Sequence, residues 1–158
     1  MNTVIDEKEA LSRITRFCSM AEHCRAEIEE KLRKWGLPGD AIKRIINTLE
    51  QESYVDEARF SRAFIRDKYR FDKWGKVKIA QALRLKHIPE AIYIPLMSEV
   101  VDQEEYQAIL CKLLSAKRRS LHAESDYELN AKLVRYALGR GFEITDIGRC
   151  IDLPEENE

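Results

Sequence analysis

The chain repeats a helix–stop–helix pattern three times, and this repetition constrains its fold more than any other feature. In each copy an apolar helical stripe runs into a short stop that contains Gly or Pro, and a second apolar stripe follows. The three stops are Trp35-Gly36-Leu37-Pro38, Lys86-His87-Ile88-Pro89 and Arg140-Gly141-Phe142. Ile28 and Ile79 precede the first two stops and are 51 residues apart, and Leu133 follows Ile79 by 54 residues. A period of about 50 residues predicts one small helical unit used in series, an architecture typical of extended binding surfaces.

Apolar residues recur at spacings of three and four along each repeat, which is the period of an α-helix. No segment alternates apolar and polar residues with enrichment in β-branched types, as a half-buried strand would. We therefore predict an all-α protein with three tandem three-helix repeats that form an elongated, curved array. The predicted boundaries are 6–52, 53–101 and 102–153, followed by an acidic tail at 154–158.

Helix ends can be placed from capping residues and breakers. Pro95 lies in a predicted helix interior, where it removes a hydrogen bond at a cost of about 3 kcal/mol, so we expect a kink or a restart near Ile94. Gly36 and Pro38 suit the end of one helix and the first turn of the next. The predicted helix N-caps are Asp6, Ser19, Asp102, Ser125 and Thr145, and new helices are also expected to begin near Asp56, Gly75 and Pro89.

Composition limits the classes of function. Of 158 residues, 35% are charged, yet the net charge is only −1 and the isoelectric point is near 6.4. Any binding to nucleic acid must therefore depend on local clusters of basic residues. The N-terminus lacks the apolar run of a signal peptide, and no apolar stretch approaches the roughly 20 residues that span a bilayer. We expect a cytoplasmic monomer without a membrane segment.

Cysteine and histidine placement gives no indication of a metal site. Four cysteines stand at positions 18, 24, 111 and 150 without a C-x-x-C pair, whereas zinc sites usually contain close thiolate pairs. Cys18 and Cys111 lie on apolar helical stripes. The favoured interpretation is that the cysteines are small buried hydrophobic residues in a reducing cytosol, without a redox role. We expect no cofactor.

No catalytic constellation can be assembled from the sequence. Residues 74–77, Trp-Gly-Lys-Val, lack the second glycine and the hydroxyl residue of a phosphate-binding loop. His23, His87 and His122 are scattered one per repeat, and most carboxylates stand at helix caps or beside basic residues. Because no nucleophile, base and orienting group come together, we predict that the protein is not an enzyme.

A basic cluster in the middle repeat is the strongest candidate for binding. Residues 56–78 contain eight basic and four acidic residues, a net charge of +4, interleaved with Tyr69, Phe71 and Trp74. This mixture suits an anionic partner, either nucleic-acid phosphates or an acidic protein groove. A solvated face with its aromatic rings turned into the core is an equally acceptable interpretation. The basic residues are Arg59, Arg62, Arg66, Lys68, Arg70, Lys73, Lys76 and Lys78.

Two smaller basic clusters flank the other helix ends. The cluster in the first repeat consists of Lys31, Arg33, Lys34, Lys43 and Arg44. The cluster in the third repeat consists of Lys112, Lys117, Arg118 and Arg119, for which stabilisation of a helix C-terminus is the favoured role. One basic patch per repeat is nevertheless expected of an array that follows a long polymer.

Four segments in this order and spacing resemble the RecX family of recombination regulators, from about Ala10 to Leu153. The chain departs from the family pattern at Glu57, which replaces Asp, at His87, which replaces Gly, and at Pro95. The matching segments are Arg25-x-Glu27-Ile28-x-x-Lys31-Leu32-x-x-x-Gly36, Tyr54-Val55-Asp56-Glu57-x-Arg59-Phe60-Ser61, Gly75-x-x-x-Ile79-x-x-x-Leu83-x-x-x-x-Ile88 and Lys132-Leu133-x-x-Tyr136-x-x-x-x-Gly141-Phe142.

The resemblance implies a modulator of RecA, most often an inhibitor, that lies in the groove of the RecA–DNA filament and impedes strand exchange and ATP hydrolysis. It also implies that the chain has no catalytic residues of its own. The predicted contact residues are those of the middle cluster together with Arg25, Lys31, Arg33 and Lys34. Weak contacts from successive units to successive RecA protomers would add up by avidity.

Two other functions stay open on the sequence alone. One is direct DNA binding by a helix-turn-helix-like unit, which the slightly acidic chain and the dispersed basic residues disfavour. The other is a helical scaffold for a different protein. Weak direct DNA binding by the RecA modulator itself is compatible with the basic clusters.

Overall fold

The computed structural model describes residues 5–154 and consists of helices joined by short loops. We call α1–α3 the first unit, α4–α6 the second and α7–α9 the third. The predicted all-α class with three three-helix repeats is confirmed, while the exact division at 52/53 and 101/102 stays a prediction. Except for Pro154, the predicted tail at 154–158 lies outside the described residues. The helices are α1 (Glu7–Met20), α2 (Arg25–Lys34), α3 (Gly39–Gln51), α4 (Glu57–Arg70), α5 (Lys76–Leu85), α6 (Glu90–Val100), α7 (Gln103–Ser120), α8 (Asp126–Gly139) and α9 (Ile144–Gly148).

Side-chain caps begin four of the helices. Asp6, Asp56, Asp102 and Ser125 each accept a hydrogen bond from the backbone N–H three residues later, which satisfies one of the donors at a helix start. The prediction of Ser19 as a cap is wrong, because α1 continues through it and its hydroxyl donates to the carbonyl of Thr15 at 2.9 Å.

The other helix starts differ in their caps. Cys24 is the cap of α2, and its Sγ lies 3.2 Å from the Glu27 carboxylate. The prediction of Thr145 as a cap is also wrong, since α9 begins one residue earlier and Glu143 precedes it. Gly75 and Pro89 are the residues immediately before α5 and α6, close to their predicted positions.

The three stops share one backbone geometry. Gly36, His87 and Gly141 have φ angles of 86°, 60° and 95°, the left-handed region in which helices commonly end. His87 adopts this conformation without being glycine, so its departure from the family pattern leaves the turn intact. The next residue then donates its N–H to a carbonyl five residues back, in the pairs Leu37–Leu32 at 3.3 Å, Ile88–Leu83 at 3.1 Å and Phe142–Ala137 at 3.1 Å.

Helix α6 continues through Pro95 from Glu90 to Val100, so the restart near Ile94 is wrong, while the alternative, a kink at Pro95, stays a prediction. Pro95 and Ala91, whose carbonyl loses its helical donor, are both exposed. Water can therefore replace the missing hydrogen bond, which explains why the helix is not interrupted.

Buried apolar side chains in the described residues form two clusters. The first unit has its own core around Ile14 and Leu49. The second and third units share a continuous core that contains Ile79 and Leu133, and Cys24 at the start of α2 is also buried in it. The three repeats are therefore packed unequally, because the second and third units are joined by extensive burial of apolar surface, whereas the first unit reaches their core mainly through Cys24.

The cysteines divide into two kinds. Cys18 and Cys24 are free and buried, as predicted. Cys111 and Cys150 instead form a disulfide across 39 residues, with their Cα atoms 5.1 Å apart, so the interpretation of all four as buried hydrophobic residues is wrong. The pair could not be found from spacing, because it depends on how the end of α9 packs against α7.

Candidate partner-binding surface

The three arginines that follow helical spacing on α4 are each paired with a carboxylate. Arg59 bonds to Glu22 of the first unit. Arg62 lies 2.7 Å from Glu99 of α6. Arg66 lies 3.5 Å from its neighbour Asp67. Glu22 and Glu99 lie outside residues 56–78 and therefore offset part of the local charge of +4, whereas Asp67 is already counted in it.

Two further basic residues of the predicted cluster also form ion pairs. Arg70 lies 2.7 Å from Glu105 and so joins α4 to α7 of the third unit. This hydrogen bond raises the pKa of Arg70 above its usual value. Lys68 lies 3.0 Å from Asp72, one turn later. The Arg70–Glu105 pair holds two helices together, and both pairs leave fewer cations available for a partner.

The predicted contact residues of the first unit are likewise engaged. Arg25 lies 3.1 Å from Glu50, and its backbone N–H donates to Glu57 at 2.7 Å. Lys31 lies over the Phe17 ring, 4.1 Å from its centroid. Arg33 and Lys34 are paired with glutamates one turn earlier, Arg33 with Glu29 at 2.7 Å and Lys34 with Glu30 at 3.3 Å.

The remaining predicted lysines cluster where the second unit meets the third. Lys73 forms no ion pair within residues 5–154, and neither does Lys78, whose ammonium lies 4.4 Å from the centre of the Trp74 ring. Lys76 points instead to Gln103, at 2.7 Å. Trp74 is half-buried, whereas Phe71 is exposed and Tyr69 is fully buried, so the rings divide between surface and core.

The third unit extends this basic surface with two residues outside the predicted contact set. Arg140 donates to the carbonyls of Asp72 and Lys73, the latter at 3.1 Å. Lys117 lies 4.8 Å from the centre of the Tyr136 ring, which Arg140 also approaches. Neither cation forms an ion pair in the described part of the chain. We define the joint surface as Lys73, Trp74, Lys78, Lys117, Tyr136 and Arg140.

Sequence reasoning attributed Lys117 to stabilisation of a helix end and treated Arg140 only as part of a stop. The repeat did contain a signal, because the residue before the left-handed position is basic in the second and third stops, Lys86 and Arg140. That signal alone could not show that Arg140 reaches across 67 residues to the second unit.

Backbone contacts fix the joint surface in place. The N–H of Gly75 donates to the Arg140 carbonyl at 2.8 Å, and the N–H of Val77 donates to the Gly141 carbonyl at 3.0 Å. The N–H of Lys76 donates to the Tyr106 hydroxyl at 3.0 Å. These donors belong to the start of α5, where helical N–H groups have no partner within their own helix. The third stop therefore completes a helix of the second unit.

Close approach at this joint requires glycine on both sides. A Cβ on Gly75 would overlap the backbone of Gly141, and a Cβ on Gly141 would overlap Lys78. Behind the glycines, the Tyr106 ring packs against Phe142, with centroids 5.3 Å apart. Burial raises the pKa of Tyr106, although the hydrogen bond from Lys76 opposes this effect.

The joint between the first and second units has a different character. A cleft of about 630 Å³ lies there, lined by both basic and acidic side chains that include Arg25, Lys86, Glu50 and Glu57. Burial raises the pKa of Glu57, while the hydrogen bond from the Arg25 N–H lowers it. Because the lining has four acidic residues and only two basic ones, Arg25 and Lys86, this cleft is a weaker candidate for an anionic partner.

Neither metal coordination nor a membrane span is indicated for residues 5–154. Within them, no group of three or more His, Cys, Asp or Glu side chains is arranged to hold a metal ion. None of the described helices combines the length and apolar character needed to cross a membrane.

Family models match all three units. The model for the first RecX three-helix domain matches residues 10–49, the second 56–93 and the third 103–151. Proteins named regulatory protein RecX are similar over most of their length. The one from Herminiimonas arsenicoxydans is 30% identical, over 93% of each chain. The one from Prosthecochloris aestuarii is 27% identical, over 93% of this chain and 94% of its own.

Solved structures show the same fold. A crystal structure of regulatory protein RecX matches 91% of this chain and 72% of its own, with a TM-score of 0.84 and 19% identity. The crystal structure of RecX from Lactobacillus salivarius matches 91% of this chain and 93% of its own, with a TM-score of 0.76 and 21% identity. Since the three domain models together match most of the sequence in the expected order, this chain belongs to the RecX family of regulatory proteins.

Proposed function

We propose that the chain binds RecA, or the RecA filament on DNA, and lowers its recombinase and ATPase activities. The observation that best supports this function is the joint surface, on a chain of the RecX family. Its four cations have no acidic partner among the described residues, and two half-buried rings, Trp74 and Tyr136, lie beneath three of them. Because such cations lose no existing ion pair on binding, they suit an acidic groove or a nucleic-acid backbone.

The predicted contact residues can be ranked by whether each already forms an ion pair within the chain. Reversing Arg62 would first break its bond to Glu99, so a loss of binding would partly report a change in the fold. Reversing Lys78 or Lys117 breaks no ion pair in the described residues. We therefore propose Lys78 and Lys117 as the primary contacts, with the paired arginines of α4 as secondary ones.

The test is the ATPase rate of RecA on single-stranded DNA with increasing amounts of the chain. The wild-type chain is expected to slow ATP hydrolysis. The double variant Lys78→Glu/Lys117→Glu is expected to need about tenfold more protein for the same effect, which corresponds to about 1.4 kcal/mol of binding free energy. Absence of any effect of the wild-type chain at several-fold excess over RecA would contradict the proposed function.

A matched control separates the surface from general charge. The control variant Lys8→Glu/Arg16→Glu makes the same total charge change at two exposed residues of α1 that form no ion pair in residues 5–154, and it should inhibit like wild type. Equal inhibition by Lys78→Glu/Lys117→Glu and wild type would remove the joint surface from the contact. Tight, sequence-dependent binding to duplex DNA without RecA would favour the helix-turn-helix alternative instead.

A further inference from the structure

The third unit contains a pair of cysteines whose position gives them access to solvent. Cys111 lies on α7, and Cys150 lies two residues after α9. Both are half-buried, whereas Cys18 and Cys24 are buried in the cores. A small reagent can therefore reach the bonded pair without unfolding the chain, which is the condition for thiol–disulfide exchange.

The polar surroundings of the pair include an acceptor without a donor. Gln107, one turn before Cys111, donates its amide N–H to the Asp146 carbonyl at 2.8 Å and lies 3.0 Å from the Cys150 sulfur. Its Oε1 is buried and has no hydrogen-bond partner among the described residues. The amide nitrogen, which faces the sulfur, can donate to it in the thiol form as well as in the disulfide. The surroundings of the pair therefore suit the reduced form as well as the oxidised one.

A cleft beside the disulfide has room for a small reagent. Its volume is about 470 Å³, and both cysteines line it together with Ser115, Arg118 and Asn130. Arg118 is held in place by a hydrogen bond to Asn130. A molecule the size of a short thiol-containing peptide can therefore approach either sulfur.

We propose that Cys111 and Cys150 form a reversible dithiol–disulfide site that exchanges with low-molecular-weight disulfides. One cysteine thiolate attacks a sulfur of the external disulfide and releases one external thiolate, leaving a mixed disulfide on the chain. The second cysteine thiolate then attacks the first sulfur and releases the other external thiolate. Two electrons pass from the cysteine pair to the external disulfide, and the two released thiolates take up the two thiol protons.

Oxidation of this pair holds the joint surface in place. The disulfide closes a loop of the third unit that includes Arg140 and Gly141, whose carbonyls accept the hydrogen bonds from Gly75 and Val77. A cross-link reduces the freedom of the open states of the segment that it encloses. Reduction therefore allows the third stop to separate more often from α5, while the first unit, with its separate core, is unaffected.

The experiment uses the full chain, dithiothreitol as reductant and oxidised glutathione as oxidant. Alkylation followed by mass spectrometry should find Cys111 and Cys150 blocked after oxidation and labelled after reduction. Hydrogen exchange at the Gly75 and Val77 amides should become about tenfold faster on reduction. The Ile46 amide of the first unit should not change. The variant Cys111→Ser should exchange like the reduced chain under both conditions.

Each result decides one part of the proposal. If oxidised glutathione never blocks the pair, the exchange site is wrong. If the pair is blocked but Gly75 and Val77 exchange equally in both forms, the link to the joint is wrong. Neither readout involves RecA, so both outcomes are independent of the proposed function.

Discussion

The two joints of this chain connect similar units in different ways. At the first joint, side chains reach across a cleft: Arg59 bonds to Glu22, and the Arg25 N–H donates to the Glu57 carboxylate. At the second joint, the backbones themselves are bonded, through Gly75 and the Arg140 carbonyl. The second and third units also share one apolar core, whereas the first unit has its own and, among the described residues, adds only the buried Cys24 and the half-buried Ala26 to the shared one.

This difference has an energetic consequence. Ion pairs between exposed side chains contribute about 0–1 kcal/mol each and weaken in salt. Buried packing and satisfied backbone hydrogen bonds are much less affected by ions. The second and third units should therefore behave as one body that presents the joint surface, and the first unit should move relative to it.

The substitution Gly75→Ala should have the largest effect, because it acts on the second joint directly. The added Cβ would overlap the Gly141 backbone, which cannot move without breaking the hydrogen bonds of the stop. We expect a loss of about 3 kcal/mol in the free energy of unfolding, measured by urea titration with circular dichroism.

The matched control is Gly139→Ala, since nothing lies within 4 Å of a Cβ built on Gly139 at the end of α8. This variant should be as stable as wild type or more stable by up to about 1 kcal/mol, because alanine favours the helix. Equal unfolding midpoints for Gly75→Ala and wild type would show that the close approach of the two backbones is not maintained in solution.

The sequence predicts features that depend on neighbouring residues, but it does not predict contacts between residues that are distant along the chain. Caps such as Asp56 and stops such as Gly141 depend on residues within one or two turns, so local patterns predict most of them, although the caps predicted at Ser19 and Thr145 are wrong. The acids that neutralise Arg59 and Arg62 are each 37 residues away, and the Arg140 contact with Lys73 spans 67. Such contacts depend on the angles between helices, which local patterns do not determine.

The candidate surface was accordingly predicted only in part. The sequence identified Lys73 and Lys78 but could not distinguish them from paired neighbours such as Arg62. It placed Lys117 in a separate cluster and left Arg140 outside the contact set, because these residues meet the second unit only after the third stop docks on α5. The sequence likewise does not reveal the Cys111–Cys150 disulfide, because the two cysteines meet only when the end of α9 packs against α7.

The substitution Tyr106→Phe should have an intermediate effect. It removes the hydroxyl that accepts the Lys76 N–H at 3.0 Å and keeps the ring packed against Phe142. We expect a loss of about 1–2 kcal/mol at neutral pH. Tyr54→Phe is the control, since the Tyr54 hydroxyl forms no hydrogen bond in the described residues, and its effect should stay within about 0.5 kcal/mol.

The pH dependence of the Tyr106→Phe effect tests its cause. Burial raises the pKa of Tyr106 in the folded chain above its usual value of 10.0. The phenol therefore contributes its full stability below pH 10.0, and this contribution decreases as the pH rises further, because the unfolded chain ionises first. The difference between wild type and Tyr106→Phe should shrink above this pH, and a difference that stays constant would contradict burial of the hydroxyl.

The smallest effect is expected at the first joint. Arg59→Ala removes an exposed ion pair with Glu22 and should lower the free energy of unfolding by less than about 1 kcal/mol. Salt provides the sharper comparison, because the Debye length falls from about 10 Å at 0.1 M to about 3 Å at 1 M.

Two amides report on the two joints under the same conditions. The Arg25 N–H bonds to the Glu57 carboxylate across the first joint, and the Gly75 N–H bonds to the Arg140 carbonyl across the second. High salt should speed hydrogen exchange at Arg25 by about two- to fivefold, as weakened ion pairs allow the joint to open, and should leave Gly75 unchanged. Equal acceleration of both amides would mean that the two joints open together, and the first unit would then not move independently.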